Sequence, residues 1–457
     1  MSDSTIAAIA TGTNNNGISI IRLSGDESIS ICDKIFKSVK NKKLTEFKSH
    51  TVHYGYIYDD DEKIDEVLVV LMKGPNSYTK EDVVEINCHG GFVVSYKILD
   101  LLIKMGARPA EPGEFTKRAF LNGRIDLSEA ESVIDVINSQ NDFALKNSMK
   151  QLSGYLFNIF DSIRKFLIHE LAFIESALDD PEHFSTEGYP IKLREELIPH
   201  IGKIDKLIKS FNDGIILKEG IDTAIVGKPN AGKSSLLNLF VGYDRAIVTE
   251  IAGTTRDVLE EHINFDGLQL NITDTAGIRD TEDTIEKIGV NKSLECIENS
   301  NLILYVIDSS VPLDQNDEDI IKAVTDKKVI VLLNKSDLSQ VVSEDDIKER
   351  LDCNVIPVSA KFNDGMEELK KLIREMFLSG DIKSNDEVFI TNARQKDALV
   401  MAYDSLKNVI ASIDDGMPED FFSIDMMNAY DKLGLITGES VEDDLMEEIF
   451  KSFCVGK

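Results

Sequence analysis

One run of residues carries the plainest chemistry in this chain: Gly227-Lys228-Pro229-Asn230-Ala231-Gly232-Lys233-Ser234, which fits the spacing G-x-x-x-x-G-K-[ST]. Glycines at both ends let backbone N–H groups close around a polyphosphate, and a helix beginning just beyond offers its positive end to the same anion. Lys233 supplies a point charge to β- and γ-phosphates, Ser234 supplies a hydroxyl ligand for Mg²⁺, and Ala231, Gly232 and Ser235 line the same loop. Three more runs follow in order, each after a predicted strand. Asp274-Thr275-Ala276-Gly277 offers an acid that reaches Mg²⁺ through water and a glycine N–H for the γ-phosphate, and one of Thr254 and Thr255 upstream completes the Mg²⁺ shell. Asn334-Lys335-Ser336-Asp337 ends on a carboxylate that accepts from both N1–H and the 2-amino group of guanine. Adenine lacks those donors, and leaving the carboxylate unpaired costs about 1–3 kcal/mol, which selects GTP over ATP. Ser359-Ala360-Lys361 adds a backbone contact to the guanine oxygen.

Together the four elements match the Ras-like GTPase superfamily, and they predict an enzyme that hydrolyses GTP. The residue after Gly277 is Ile278, where Ras-like proteins use a Gln to position the attacking water. An aliphatic chain cannot do that, so the water must be oriented from elsewhere, and Asp280, Glu282, Asp283 and Glu286 lie downstream. Asn230 reads in two ways: as an amide ligand for a monovalent cation beside the phosphates, or as a turn-stabilising residue. Arg256 and Arg279 are either arginine fingers or structural.

The elements that must hold these residues follow from periodicity. Strands are expected at 221–226, 268–273, 302–307, 329–333 and 355–358, with helices between them, which implies a parallel sheet. Upstream, strands at 5–11, 17–23, 51–58, 66–72 and 83–88 and a helix over 92–105 ended by Gly106 describe an α+β domain. From Gly123 the pattern turns helical, with a capping box at Ser128 and Glu131, an interruption at Pro181, a resumed helix over 191–212 and a break at Asp213-Gly214. Helical pattern returns over 392–413 and 421–450. The expected organisation is a multidomain α/β chain: an α+β domain over 1–120, an all-α helical domain in two halves, 121–214 and 379–457, and an α/β G domain over 215–378 inserted between them.

The formal charge is −31, from 50 basic and 81 acidic residues, so the surface as a whole repels nucleic acid and anionic membrane. RNA must therefore be met at local basic spots or through another protein. No stretch approaches a membrane span, and the start of the chain lacks a basic signal region, so no membrane association and a cytoplasmic location are expected. Cys32, Cys88, Cys296, Cys353 and Cys454 are scattered, odd in number and without a CxxC pair, which fits a reducing compartment.

Several further runs carry a specific resemblance. They are Ile21-Arg22-Leu23-Ser24-Gly25, Gly74-Pro75-Asn76-Ser77-Tyr78-Thr79, Glu81 to Glu85, His89-Gly90-Gly91, Pro112 to Thr116, Arg118 to Gly123, Ile251 to Asp257 and the terminal Phe453-Cys454-Val455-Gly456-Lys457. With them the chain resembles the MnmE (TrmE) family of tRNA-modification GTPases over nearly its whole length. The resemblance implies action with the flavoprotein MnmG to build the aminomethyl or carboxymethylaminomethyl group on carbon 5 of the tRNA wobble uridine. It implies a one-carbon unit from 5-formyltetrahydrofolate or another tetrahydrofolate derivative, held by the N-terminal domain at Arg22, Glu85, Arg124 and Lys457, though Lys also occurs in the family at the Arg124 position. It further implies a K⁺-stimulated GTPase with Asn230, Thr249, Ile251 and Thr254 at the cation, and Glu250, Ala252 and Gly253 in the same loop over the nucleotide. Thr255 becomes the Mg²⁺ ligand, Glu286 the catalytic glutamate acting through an intermediate water, and the N-terminal domains form a homodimer. Gly12-Thr13-Asn14-Asn15-Asn16-Gly17 departs from the family's arginine-bearing loop, so one positive charge is lost. Cys454 reads by itself as a small buried hydrophobe; the family associates the tail with activity, and no neighbour in sequence argues for a nucleophile.

A regulatory switch, such as a ribosome-assembly GTPase with binding modules on either side, is the competing function. The charge of −31 and the absence of a basic appendage argue against it.

Overall fold

The computed structural model describes residues 4–12, 16–243, 261–265, 267–272, 297–298, 300–325, 327–377, 388–439, 441 and 443–456. Thr249 to Thr255, Arg256, Asp274 to Gly277, Ile278, Arg279, Glu286, Cys296 and Lys457 lie outside the described residues. The chain divides into two compact units. The first comprises Met1–Ile134, Gln151–Ile198 and Met401–Lys457, the second Asp135–Lys150 and Pro199–Val400.

The first unit holds strands β1 (Ile6–Ile9), β2 (Ile18–Ser24), β3 (Phe36–Ser38), β4 (Thr51–Asp59), β5 (Glu62–Met72), β6 (Val83–His89) and β7 (Arg108–Pro109), ordered β3-β4-β5-β6-β2-β1-β7. Period-2 alternation buries Ile21, Leu23, Val69, Leu71, Val84 and Ile86 against the helices Ser28–Ile35 and Phe92–Lys104. The opposite face carries Arg22 and Glu85, paired across β2 and β6, with Tyr54 and Leu68 paired across β4 and β5. The helices Tyr155–Asp179 and Glu419–Thr437 pack together through buried Leu, Ile, Phe and Met side chains. Gly438, at φ 92, ends the second of these, so the helical pattern over 421–450 becomes two helices, the next being Asp443–Lys451. A side chain at Gly438 would strike Phe120 and Leu127, which reserves the position for glycine.

The capping box lies two residues earlier than Ser128 and Glu131 suggest. Asp126 Oδ1 accepts from the Glu129 N–H at 2.9 Å while Glu129 Oε2 accepts from the Asp126 N–H at 2.8 Å, and the Ser128 hydroxyl donates to the same aspartate. Both acid pairs fit the spacing; the aspartate wins because the helix Leu127–Asn138 starts immediately after it.

The second unit holds β8 (Ile221–Val226), β9 (Glu261–Phe265), β10 (Leu268–Ile272), β11 (Leu302–Asp308), β12 (Val329–Asn334) and β13 (Asn354–Pro357), ordered β13-β12-β11-β8-β10-β9. All pairings are parallel except β9 with β10, which adds an antiparallel edge to the expected parallel sheet. The hairpin turns at Gly267, φ 82, whose N–H donates to Asn264 Oδ1. Helices on both faces bury the hydrophobic strands, as parallel sheets require. The helix Tyr189–Glu219 runs straight through Asp213-Gly214 instead of breaking there. A Cβ on Gly214 would stand 2.2 Å from the Ile390 carbonyl oxygen, so this glycine admits a neighbouring backbone and does not turn the chain. Gly220, φ 88, ends the helix. The fold is thus an N-terminal α+β part, an all-α part, and an α/β G domain inserted within the helical sequence.

Candidate functional site

The loop Gly227–Ser234 connects β8 to the helix Lys233–Tyr243, which is where a phosphate loop must sit at the carboxyl end of a parallel sheet. Three residues bend it: Gly227 at φ 149, Asn230 at φ 64 and Gly232 at φ 101. A Cβ at Gly227 would meet the Val306 carbonyl oxygen at 2.3 Å, and one at Gly232 would meet Asn334 Nδ2 at 2.0 Å. Lys233 folds over the loop, its Nζ donating to the carbonyls of Gly227 at 2.7 Å and Lys228 at 2.8 Å. Burial holds this ammonium below the ordinary lysine range, so a phosphate beside it would be met by a poorly solvated cation. Ala231 is buried, whereas Asn230, Ser234 and Ser235 are exposed at the loop's open side.

Asn334, buried at the end of β12, ties the parts together. Its Nδ2 donates to the Ala231 carbonyl at 2.8 Å, and its Oδ1 accepts from the Ala360 N–H at 3.2 Å. Ser359 Oγ donates to Asp337 Oδ1 at 2.8 Å, aiming the carboxylate, which stays exposed. Lys335, at φ 63, pairs its Nζ with Asp308 Oδ2 at 2.5 Å. Lys361 is exposed on the loop after Ala360. Every described member of the nucleotide set thus lies on one end of the sheet.

Sequence reasoning passed over a supporting network. Lys228 Nζ binds Asp317 at 2.6 Å and Asp314 at 3.0 Å, and the buried Tyr305 hydroxyl donates to Asp317 at 2.9 Å. Burial pulls the Lys228 ammonium down, but the two carboxylates outweigh it and raise it above its ordinary range. Only the x positions of the motif are involved, so no spacing rule marks them.

A second cluster forms on the open face of the first unit's sheet. Arg22 Nε donates to Glu85 Oε1 at 2.8 Å, and Arg22 Nη1 donates to the Gly456 carbonyl at 3.2 Å. The guanidinium stands 5.8 Å from the Tyr78 ring centre and 5.6 Å from that of Phe115, while Arg124 lies 4.7 Å over Tyr78. Gly456, φ 95, is wedged so that a Cβ would sit 2.5 Å from the Ile9 carbonyl oxygen. The tail is anchored beside it, with Phe453 buried against Gly113 and Phe450 and the Gly113 N–H donating to the Cys454 carbonyl. Arg22, Glu85 and Arg124, distant in sequence, meet around Tyr78 and the tail, and Tyr78 and Gly456, though part of runs that carry the resemblance, were given no site role by sequence reasoning. Cys454 is exposed, contrary to the expected buried thiol. The hydrophobic anchor is Phe453, and the turn that follows it leaves Cys454 and Val455 facing solvent before Gly456 is buried again.

Similarity to known proteins now bears on the whole chain. A family model described as the GTP-binding protein TrmE N-terminus matches residues 5–124, and one described as the MnmE helical domain matches 127–454. A tRNA modification GTPase MnmE of Lachnoclostridium phytofermentans is 56% identical over 100% of both chains. The protein of that name from Clostridioides difficile is 48% identical over 100% of this chain and 99% of its own, and that from Thermoanaerobacter pseudethanolicus is 48% identical over 99% of each. Two family models and full-length identity near one half lead to one conclusion: the chain belongs to the tRNA modification GTPase MnmE family.

Proposed function

We propose that this GTPase works with the flavoprotein MnmG to install the aminomethyl or carboxymethylaminomethyl group on carbon 5 of the tRNA wobble uridine. The observation that carries the reading is the cluster on the open sheet face. A guanidinium paired with a carboxylate, the Tyr78 ring beside it and the chain's last residues at its edge suit a flat, polar heterocycle with an acidic tail. Tetrahydrofolate has that chemistry. Glu85 accepts from the pterin N–H groups, Arg22 and Arg124 receive its carbonyl and carboxylates, and Lys457 adds a terminal cation.

At the G domain, Lys233 and the loop amides hold the phosphates, with Asp337, Ser359, Ala360 and Lys361 around the guanine. Ser234 and Thr255 suit Mg²⁺, and Asn230, Thr249, Ile251 and Thr254 suit K⁺. The exposed Asn230 at φ 64 supports that choice, since its side chain is free of the loop's interior. When bound, the metal ions supply positive charge against the leaving phosphate and the folate supplies the one-carbon unit. Glu286 orients the attacking water through a second water, the task that Ile278 cannot perform. Homodimerisation is supported by the open sheet face, where Ile18, Val52, Tyr54 and Leu68 leave apolar surface exposed. No described helix is long and apolar enough to cross a membrane. Nucleoside analysis of tRNA from cells lacking the protein tests the reading: wobble uridines should lose the carbon-5 substituent, and an unaltered nucleoside profile would overturn it.

A further inference from the structure

The chain's charge is unevenly spread. Between positions 34 and 48 stand six lysines, Lys34, Lys37, Lys40, Lys42, Lys43 and Lys48, against the single acid Glu46, in a protein of net charge −31. All six are exposed, around the edge strand β3 and the turn that leads to β4. None makes an ion pair with a described residue, whereas Lys97, Lys104, Lys165, Lys192, Lys209 and Lys348 elsewhere on the surface each pair with a carboxylate. The two acids nearest in sequence are turned to the backbone. Asp33 accepts from the N–H groups of Leu44 and Thr45, and Glu46 accepts from that of Lys43. Lys73 brings another ammonium to the same place, its Nζ donating to the Thr45 carbonyl. His53, stacked on Phe47 at 3.7 Å, is held below the ordinary histidine range by burial and then by the charge of Lys40.

From this juxtaposition we infer that the lysine-bearing edge at β3 is the surface on which the tRNA backbone docks, the inference resting on the reading that this chain itself meets tRNA. A net charge of −31 repels a polyanion, so an uncompensated positive edge among the described residues favours one approach for RNA. Lysines along an edge contact phosphates without reading bases, so such an edge would hold the RNA backbone whatever its sequence.

The test uses the full-length protein and a labelled tRNA transcript, with binding followed by anisotropy over a range of KCl. The variant carries Lys40→Gln, Lys42→Gln, Lys43→Gln and Lys48→Gln together. Its affinity should fall at least about tenfold at low salt, and the slope of log K against log [KCl] should become shallower by about three, at roughly 0.7–0.9 per phosphate contact. Basal GTP hydrolysis, whose phosphate loop and base-reading residues belong to the other unit, should be unchanged and reports that the variant is folded. An unchanged affinity and slope overturns the inference, as does a wild-type protein that fails to retain tRNA at low salt. Loss of binding to phosphatidylserine vesicles with tRNA binding intact overturns it in favour of a membrane surface. These failures leave the nucleoside profile of cells lacking the protein as it was, so the function and the docking edge stand or fall separately.

Discussion

The phosphate loop and the Arg22 cluster are built in opposite ways. The loop is contiguous: eight residues supply the backbone amides, the lysine and the hydroxyl, and Asn334 with the pair Asp314 and Asp317 arrives from elsewhere to lock them. The cluster is assembled from β2, β6, the segment at Tyr78, the helix Glu114–Leu121 that carries Phe115, and the last residues of the chain. Polyphosphate recognition uses backbone groups whose placement is local, so spacing reveals it. A heterocycle needs side chains converging from several directions, and sheet register together with the docking of the tail decides their meeting.

If the two sites are built separately, damage to one should leave the other intact. The largest effect is expected from Lys233→Ala, which removes the charge folded over the loop. GTP turnover should fall by about 10²–10³-fold or more, while 5-formyltetrahydrofolate binding measured by calorimetry stays unchanged. Loss of both activities would join the sites and end the comparison. Next, Arg22→Ala removes the group that touches both Glu85 and the Gly456 carbonyl. Folate affinity should fall about 10–100-fold, from a lost charge-assisted contact and a carboxylate left alone, with GTP affinity unchanged. A folate affinity equal to that of the wild type would sink the assignment of this cluster.

Smaller, and sharper, is Asn334→Ala. It leaves the Ala231 carbonyl and the Ala360 N–H without their common partner. A loss of about 1–2 kcal/mol, or roughly tenfold in GDP affinity by fluorescent nucleotide titration, is expected. Phosphate and base recognition should suffer together, because the one side chain positions both loops.

The sequence was legible where physics is local. β11 and β12 are buried throughout and read as near-continuous Val, Ile and Leu, and β8 closes on a buried Ala-Ile-Val after its exposed Asp222, so the ends of all three fall within a residue of expectation. β9 was not legible: Glu-His-Ile-Asn-Phe is short and half polar, and only the hairpin through Gly267 makes it a strand. Glycines misled in one direction. Gly438 ends a helix by turning left-handed, but Gly214 sits inside one, and the difference lies in the Ile390 backbone, 176 positions away, that presses on it. Of the candidate sites, the nucleotide set could be read from its motifs alone, whereas Arg22, Glu85 and Arg124 needed the family resemblance. That Tyr78 and Gly456 belong to the same cluster could be seen only once the chain was folded.

The subtlest expectation concerns how the first unit supports its cluster. Glu114 is buried beside Phe115 and takes hydrogen bonds from Arg108 at 2.5 Å and Arg118 at 3.0 Å, with Arg118 reaching on to Glu81. Burial pushes the Glu114 carboxyl up, but Arg108, the Glu111 N–H and Arg118 outweigh it and hold it below its ordinary value of 4.5. A depressed folded value means that the unfolded chain binds the proton more readily. The carboxylate therefore adds stability above about pH 4.5, and that contribution drains away as pH falls through the lower folded value. Glu114→Gln should lower stability by about 1–3 kcal/mol at pH 7, and the gap between variant and wild-type denaturation midpoints should narrow as pH drops toward 4. The nucleotide affinity should not change, because the affected ion pairs lie wholly within the first unit. A gap that stays constant with pH would mean that the carboxylate is not held down by its arginines, and that packing alone supports the helix that brings Phe115 to Arg22.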